Sequence, residues 1–376
     1  MKSVIKNHPL LKAIRGILVE LPTPMCIRRI WNFGSILGIC LIVQILSGLF
    51  LVFHYRADVR LAFWVVSSGM NDVPINWAIR ITHANGASAF FLFLYLHVAR
   101  GLYYGSFYFV EVWGVGVVIL LLVIAAAFLG YVLPWGQMSF WGATVITRLF
   151  SAIPYLGGDI VTWLWGGFSV DNSTLVRFLG FHFIIPLVVA SLVGLHLVFL
   201  HIRGSRSPLG VRADYNKVKF NQYFILKDAI GAFLFFIGLL YFVFFQPWDL
   251  GDPENFIQAN PLVTPAHIQP EWYFLFAYAI LRAIPRKLGG VVALAASVLV
   301  LGLVPFLPRA LIKGFRFYPI RKVFFWRFVV VVLLLTWIGA RPVEEPYVAT
   351  GQVLRVLYFL YYPLFPALQW AQDYAR

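Results

Sequence analysis

The chain has 376 residues, of which 61% are hydrophobic and only 12% are charged, and its net charge is +15. Soluble globular domains carry about 25% charged residues, so this composition excludes an ordinary soluble domain and places most of the chain in lipid. The basic residues cluster between apolar runs, which fits membrane topology better than nucleic-acid binding. Cys26 and Cys40 are too few for a disulfide framework or a zinc site.

The N-terminal segment, residues 1–30, predicts a surface element rather than a signal peptide. Charged residues and prolines interrupt it, so it contains no continuous apolar h-region. We expect a short amphipathic helix that lies on the membrane before the first span.

Eight apolar runs follow, and their lengths predict membrane-spanning helices. We therefore expect an all-α polytopic membrane protein, with the first four spans forming a four-helix bundle at 31–210 and the last four at 211–376. The predicted spans, in chain order, are 31–54, 78–103, 113–133, 175–200, 229–246, 290–308, 323–340 and 350–368.

Basic and acidic residues alternate along the connections between these spans. Because positive charge is retained on the inner side of a membrane, the alternation predicts that both termini are inside. The basic connections contain Lys2, Lys6, Lys12, Arg15, Arg28, Arg29, Arg203, Arg206, Arg212, Lys217, Lys219, Arg309, Lys313, Arg316, Arg321 and Lys322, and the acidic one contains Asp249, Asp252, Glu254 and Glu271.

Four histidines occupy two spans at one interval. His83 and His97 are fourteen positions apart in the second span, as are His182 and His196 in the fourth. This interval places the members of each pair about 21 Å apart and within about 40° of one face. The second and fourth spans run in the same direction, so His83 should face His182 at the outer level and His97 should face His196 at the inner level.

Two matched histidine pairs predict two bis-histidine haem sites. Haem iron held by two neutral imidazoles has no open axial position, so such a site transfers electrons. Zinc is disfavoured because no carboxylate or cysteine accompanies the histidines and zinc sites are compact. A single membrane histidine could equally be a hydrogen-bonded or proton-pathway residue.

Glycines and arginines near the histidines fit the same interpretation. The first and third spans carry glycine pairs at the fourteen-residue interval, and a missing side chain admits a ligand plane or a neighbouring helix. Arginines one turn from a histidine could pair with haem carboxylates or extend to the membrane surface. These residues are Gly34, Gly48, Gly116, Gly130, Arg80 and Arg100.

Both ends of the predicted electron path carry ionisable residues. Glu271 lies in the PEWY sequence at 270–273, where poor solvation should raise its pKa and allow proton exchange near neutral pH. The alternative is a solvated loop glutamate. On the inner side His201, Lys227 and Asp228 could deliver protons to a reduced ligand. A helix N-cap at Asp228 and a helix C-terminal dipole partner at His201 are the alternatives.

Seven motifs spread along nearly the whole chain point to one family. They are WNFGS at 31–35, HANGAS at 83–88, GYVLPWGQMSFWGATVIT at 130–147, GDPENF at 251–256, NPLVTP at 260–265, PEWYFLFAYAILR at 270–282 and PVEEPY at 342–347. In these motifs the chain from about Leu21 to Pro363 resembles the cytochrome b family of ubiquinol–cytochrome c oxidoreductases (respiratory complex III). PEWY beside two His-x13-His spans makes the resemblance specific.

The resemblance implies two quinone sites connected by two b-type haems. At the outer site Glu271 would accept a proton from ubiquinol, and one electron would pass to a Rieske iron–sulfur protein. The other would pass through the low-potential haem of His83 and His182 and the high-potential haem of His97 and His196 to ubiquinone at the inner site. This splitting, the Q cycle, couples oxidation to proton translocation.

The resemblance also assigns residues to each site. Trp31 and Ser205 would help to hold the inner haem. The quinol-oxidation site would contain Phe128, Tyr131, Gly142, Ala143, Ile146, Pro270, Glu271, Tyr273 and Tyr278. The quinone-reduction site would contain Ser35, His201, Phe220, Lys227 and Asp228.

The resemblance further implies partner subunits and a location. We expect a Rieske iron–sulfur protein and a c-type cytochrome subunit in a homodimeric complex of the mitochondrial inner membrane, with the bacterial plasma membrane as the alternative. The chain departs from the family at Asn221-Gln222, where His-Pro is usual, and at Arg148, Arg206 and Arg286, where Asn is common.

Two other functions fit parts of the sequence. A transmembrane di-haem b-type reductase that takes electrons from a soluble donor would need both haems but not Glu271. A polytopic transporter with a histidine proton relay would bind no haem.

Overall fold

A computed structural model describes residues 8–211, 213, 215–308 and 310–375. The basic residues Lys2, Lys6, Arg212 and Arg309 lie outside these residues. The described part of the chain is mostly α-helical, as predicted. Its helices are α1 (Pro9–Leu18), α2 (Phe33–Val52), α3 (Ala62–Asp72), α4 (Asn76–Tyr103), α5 (Val110–Val132), α6 (Gln137–Arg148), α7 (Gly157–Trp165), α8 (Asn172–Arg203), α9 (Phe220–Phe245), α10 (Leu275–Arg282), α11 (Lys287–Leu299), α12 (Pro319–Gly339) and α13 (Tyr347–Tyr374).

The first four predicted spans correspond to α2, α4, α5 and α8, which pack as two close pairs, α2 with α4 and α5 with α8. Local signals fix the ends of α8. The Asp171 side chain accepts the Thr174 backbone N–H and the Thr174 hydroxyl accepts the Asp171 N–H, which forms a capping box. The helix ends at Gly204, whose φ of 73° favours glycine.

Within the described residues, five helices are long and apolar enough to cross a bilayer: α2 with its preceding turn, α5, α8, α9 and α12. Helices α4 and α13 have 28 residues each, which exceeds the roughly 20 that a span requires. The sixth predicted span, 290–308, is instead the 13-residue α11 followed by short 3₁₀ turns. Its regular part is about 20 Å long, less than the bilayer core of about 30 Å. Eight spans therefore stay a prediction.

The fifth predicted span begins earlier than expected. Helix α9 starts at Phe220, so Asp228 lies in its third turn and the N-cap alternative for Asp228 is wrong. The start of α9 is tied to the N-terminal segment by a two-stranded antiparallel sheet of β1 (Pro22–Pro24) and β2 (Lys217–Lys219), in which Pro22 faces Lys219. The sequence did not predict these three-residue strands.

The C-terminal helices form a second apolar core beside the bundle. Ile280, Phe325 and Leu335 are buried in it. The Trp113 indole N–H donates to the Leu301 carbonyl at 2.7 Å, which joins α5 to the turn that follows α11. Helices α6 and α10, which the sequence analysis did not predict, lie in the connections between predicted spans and carry residues of the outer pocket described below.

Close packing of α12 on α10 depends on Gly339. A Cβ at Gly339 would collide with the Leu275 backbone, whereas a Cβ at Gly238 would meet nothing within 4 Å. We expect Gly339→Ala to lower the midpoint of thermal unfolding of the purified protein, since overpacking costs about 1–3 kcal/mol. Gly238→Ala is the control and should raise the midpoint or leave it unchanged. Equal midpoints for the two variants would contradict this packing.

Candidate functional site

Helices α4 and α8 bring the four histidines together in two pairs. The His83 and His182 ring centroids lie 6.2 Å apart with planes at 81°, and those of His97 and His196 lie 6.4 Å apart at 52°. These are the pairs that the helix order predicts. Among the described residues no group of three or more His, Cys, Asp or Glu is placed to hold a metal ion. A metal here would need its remaining ligands from a non-protein group.

The separation within each pair suits one metal ion between two rings. A metal–imidazole bond is about 2 Å, so two such bonds and two half-rings span roughly 6 Å between centroids. A haem between the rings also needs free space beside them, and α2 and α5 supply it through glycine.

Each of the four predicted glycines faces one of the four histidines. A Cβ at Gly48 would lie 3.0 Å from His83 Cε1, and a Cβ at Gly130 would collide with the His182 ring. Helices α2 and α5 thus approach the histidine helices more closely than side chains would permit. The facing pairs are Gly34–His97, Gly48–His83, Gly116–His196 and Gly130–His182.

Hydrogen bonds at the outer pair favour the metal-binding tautomer. Ser47 Oγ donates to the Val43 carbonyl at 2.6 Å and lies 2.9 Å from His83 Nδ1, so it accepts the Nδ1–H. His182 Nδ1 lies 2.8 Å from the Ala126 carbonyl and donates to it. With the proton on Nδ1, each ring keeps an Nε2 lone pair free for a metal.

The inner pair is arranged differently. Arg100 Nη2 lies 3.1 Å from His97 Nδ1. A guanidinium can only donate, so His97 carries its proton on Nε2 here, and a metal bond at Nε2 requires Arg100 to turn away. Arg100 Nε and Trp31 Nε1 are buried without hydrogen-bond partners, and the guanidinium lies 5.5 Å from the Trp31 ring centroid. Two buried donors without acceptors fit an anionic group such as a haem carboxylate.

The other residues predicted around the haems lie at the two ends of the bundle. Arg80, one turn before His83, acts electrostatically on Glu271. Ser205 is partly buried in the turn after α8. Arg206, beside it, donates to the Gly105 carbonyl at 3.3 Å.

A pocket lies between α5, α6 and the segment before α10. Eight of the nine residues predicted for the outer site line it. Tyr273 does not: it is buried, and its ring stacks on Phe91 at 4.1 Å. The predicted lining residues are Phe128, Tyr131, Gly142, Ala143, Ile146, Pro270, Glu271 and Tyr278, and the sequence missed Val132, Val145, Ile268, Gln269 and Phe274.

Glu271 is the acidic group of this pocket. The pKa of Glu271 is raised to about 7, chiefly by burial and in smaller part by the negative charge of Asp252, whereas the Tyr131 hydroxyl and the Arg80 charge oppose the rise. A solvated loop carboxyl would not show such a shift. Glu271 can therefore gain and lose a proton near neutral pH.

Ser35 and Asp228 meet on the inner side. Ser35 Oγ donates to Asp228 Oδ1 at 2.8 Å. Asn32 Nδ2 donates to the Lys227 carbonyl at 2.5 Å, and Lys227 Nζ donates to the Ile27 carbonyl at 3.3 Å. The start of α2 is thereby fastened to α9 around the Asp228 carboxyl. Asn32 was not among the predicted site residues, although it belongs to the WNFGS motif.

The other residues predicted for the inner site lie at the start of α9 and at the end of α8. The Phe220 N–H donates to the Leu21 carbonyl at 3.1 Å, and the Asn221 N–H donates to the Val19 carbonyl at 3.2 Å. His201 is partly buried in the last turn of α8, where a role as helix dipole partner stays open.

Comparisons with known proteins agree on one family. Residues 18–204 match the family Cytochrome b/b6/petB, and residues 258–359 match Cytochrome b(C-terminal)/b6/petD. The chain belongs to the cytochrome b family. It is similar to a chain of a solved "Hyperthermophilic respiratory Complex III", with a TM-score of 0.93, 32% identity and 100% of both chains covered. The resemblance seen in the sequence is confirmed, and a cytochrome b is a haem-binding membrane protein of electron transport. A transporter that binds no haem is thereby excluded.

The contact of Gly130 with His182 gives a direct test of the haem pocket. We expect Gly130→Ala to lose the outer-level haem, because the added methyl would displace the His182 ring. Gly114→Ala, in the same helix, should keep all haem, since a Cβ at Gly114 meets nothing within 4 Å. The measurements are haem per protein and the reduced-minus-oxidised spectrum. Full haem content in Gly130→Ala would contradict the assignment of this glycine.

Proposed function

We propose that this chain is the di-haem cytochrome b subunit of a ubiquinol–cytochrome c reductase. It would oxidise ubiquinol at the outer pocket, move electrons across the membrane through two b-type haems and reduce ubiquinone at the inner site, with proton translocation by the Q cycle. The observation that carries the proposal is the stack of two histidine pairs between Glu271 at one end and the Ser35–Asp228 contact at the other.

The four histidines would hold the haems, His83 and His182 at the outer level and His97 and His196 at the inner level. Bis-imidazole haem supplies a one-electron carrier without an open coordination position. The glycine opposite each ring and the centroid separations support this assignment. Arg100 and Trp31 would bind the carboxylates of the inner haem through donors that are otherwise unpartnered.

At the outer site Glu271 would take a proton from the quinol hydroxyl. A general base works best when its pKa lies near the operating pH, and the pKa of Glu271 is about 7. Arg80 opposes protonation of Glu271 and so keeps part of the carboxyl population ionised and ready to accept. Phe128 and Ile146, which line the pocket, would exclude water around the quinol ring.

At the inner site Asp228 would donate a proton to reduced quinone. The Ser35 hydroxyl fixes one carboxyl oxygen of Asp228, which leaves the other oxygen for the ligand. His201, Lys227 and Phe220 would complete the pocket, as the family resemblance implies. Asn32 positions this segment through the Lys227 carbonyl.

The proposed partners are a Rieske iron–sulfur protein, which takes the first electron from ubiquinol, and a c-type cytochrome subunit. Similarity over the full length to a chain of a complex III supports membership of a multisubunit assembly, which we propose to be homodimeric. The proposed location is the mitochondrial inner membrane, with the bacterial plasma membrane as the alternative. The competing function, a di-haem reductase without quinol bifurcation, differs in having no use for Glu271.

The outer site is tested with Glu271→Gln in the intact complex. General bases contribute about 10²- to 10⁴-fold, so we expect quinol oxidation to slow by about 100-fold while both haems remain. In the wild type the rate should rise as pH increases through about 7, because the carboxylate form of Glu271 then accumulates. The variant should lack this rise. Glu344→Gln, at an exposed position, is the control, and wild-type turnover in Glu271→Gln would favour the competing reductase.

The inner site is tested with Asp228→Asn. The Asn amide has the size of the Asp carboxyl, and its oxygen can still accept the hydrogen bond from Ser35. The substitution therefore removes the ability of residue 228 to bind and release a proton and changes little else. We expect slower reoxidation of the inner haem by ubiquinone in stopped-flow absorbance, with quinol oxidation in the first turnover unchanged. Reoxidation at the wild-type rate would show that Asp228 has no role in proton delivery.

A further inference from the structure

We propose that Ser47 is a positioning residue that lowers the reduction potential of the outer haem by holding the Nδ1–H of His83. The proposal rests on the haem sites of the proposed function and adds a reason for the direction of electron flow.

Three residues in adjacent turns of α2 surround His83: two make hydrogen bonds to it and one leaves space for its ring. Gln44 Nε2 donates to the His83 carbonyl at 2.9 Å. Ser47 Oγ lies 2.9 Å from His83 Nδ1. Gly48 leaves the space in which the ring sits, since a Cβ there would lie 3.0 Å from His83 Cε1. Because Ser47 is only 8% exposed, water cannot replace its hydroxyl.

The direction of the hydrogen bond is fixed by a second one. The single hydroxyl proton of Ser47 points to the backbone of α2, to the Val43 carbonyl at 2.6 Å and the more distant Gln44 carbonyl at 3.3 Å. Its oxygen can therefore only accept from His83. A hydroxyl that already donates is also a better acceptor, because hydrogen bonds in a chain polarise one another.

Donation from Nδ1 changes the bond that Nε2 can make. An imidazole whose N–H is held by an acceptor is a more basic ligand. A more basic ligand stabilises the higher positive charge of ferric over ferrous iron, and second-shell hydrogen bonds shift reduction potentials in this way. Ser47 should thus make the outer haem the weaker electron acceptor.

The same helix offers no such acceptor at the inner level. Fourteen residues before Ser47 stands Phe33, just as Gly34 stands fourteen residues before Gly48. The Phe33 ring packs against Phe93 with centroids 5.9 Å apart. The space for a histidine ring is repeated along α2, but the hydroxyl is not.

The opposite side of the bundle differs between the levels in the same direction. The Ala126 carbonyl of α5 accepts from His182, whereas His196 Nδ1 is buried without a hydrogen-bond partner. On the α2 side, the residue that distinguishes the outer level is Ser47.

The test compares Ser47→Val with Ser47→Thr, two side chains of nearly equal shape of which only Thr retains the hydroxyl. The measurement is a redox titration of both haems in the intact complex, followed by optical absorbance. We expect Ser47→Val to shift the midpoint potential of the outer haem upward and to leave the inner haem unchanged, and Ser47→Thr to keep the wild-type value. Ser191→Ala is the control, because Ser191 makes a similar bond to the Leu187 carbonyl at an exposed position.

Two outcomes would overturn the role of Ser47: an unshifted potential in Ser47→Val, or equal shifts in Val and Thr. If Val displaces the outer haem, Ser47→Ala makes the comparison without added bulk, and loss of the haem there too would assign Ser47 to binding instead of tuning. The wild-type titration separates this proposal from the function on which it rests. If the wild-type titration resolves two b-type haems, the proposed function stands whatever the Ser47 variants show. If it resolves no b-type haem, both proposals are wrong.

Discussion

A polar ring inside a membrane span must find its partners within the protein, because the bilayer core supplies none. Four histidines meet this constraint through a single interval of fourteen residues. The interval sets the distance along α4 and α8 between the outer and the inner histidine. Its repetition on α2 and α5 places a glycine opposite each of the four rings, so four helices can close around the two histidine pairs. Changing the interval on one helix would put a side chain where a ring or haem has to be.

The same register would connect the proposed electron path to proton chemistry at each end. Arg80 lies one turn from His83 and acts on Glu271, so the outer histidine level and the outer pocket share a charged contact. Ser35 follows Gly34, which faces His97, and donates to Asp228. At both levels a carboxyl of the proposed proton path is thereby linked, through one short stretch of helix, to a residue of the histidine bundle.

The sequence predicts the parts of this arrangement that depend on period and motif, and it misses those that depend on tertiary contact. The histidine spacing and the glycine spacing are helix geometry, which a single chain displays. Tyr273 was expected in the outer pocket because it belongs to the PEWY motif, but it stacks on Phe91 of α4, a contact that no local pattern records. Ser47 escaped notice for a similar reason, since a serine in an apolar run gives no sign of a histidine across the helix pair.

Hydropathy also misjudged two helix boundaries, in opposite ways. Helix α9 begins at Phe220 because residues such as Lys227 and Asp228 lower hydropathy without preventing helix formation. The sixth predicted span ends early because Gly302 and Pro305 interrupt regular helix within an apolar run. An apolar run shows that a segment is compatible with lipid, but it does not show where regular helix begins or ends.

Identical ligands at the two levels mean that the direction of electron flow has to come from the neighbours of those ligands. Arg80, at the outer level, is compensated by Glu271. Among the described residues no carboxylate acts on Arg100 at the inner level, so in the proposed function its charge would be met by a carboxylate of the inner haem. The acceptor at Ser47 would favour the oxidised form of the proposed outer haem. When Glu271 takes a proton, Arg80 loses its compensation, and the proposed outer haem would become a better electron acceptor as the quinol gives up its electron. Proton uptake at Glu271 and electron entry at His83 and His182 would then be coupled by charge alone, without any movement of the backbone.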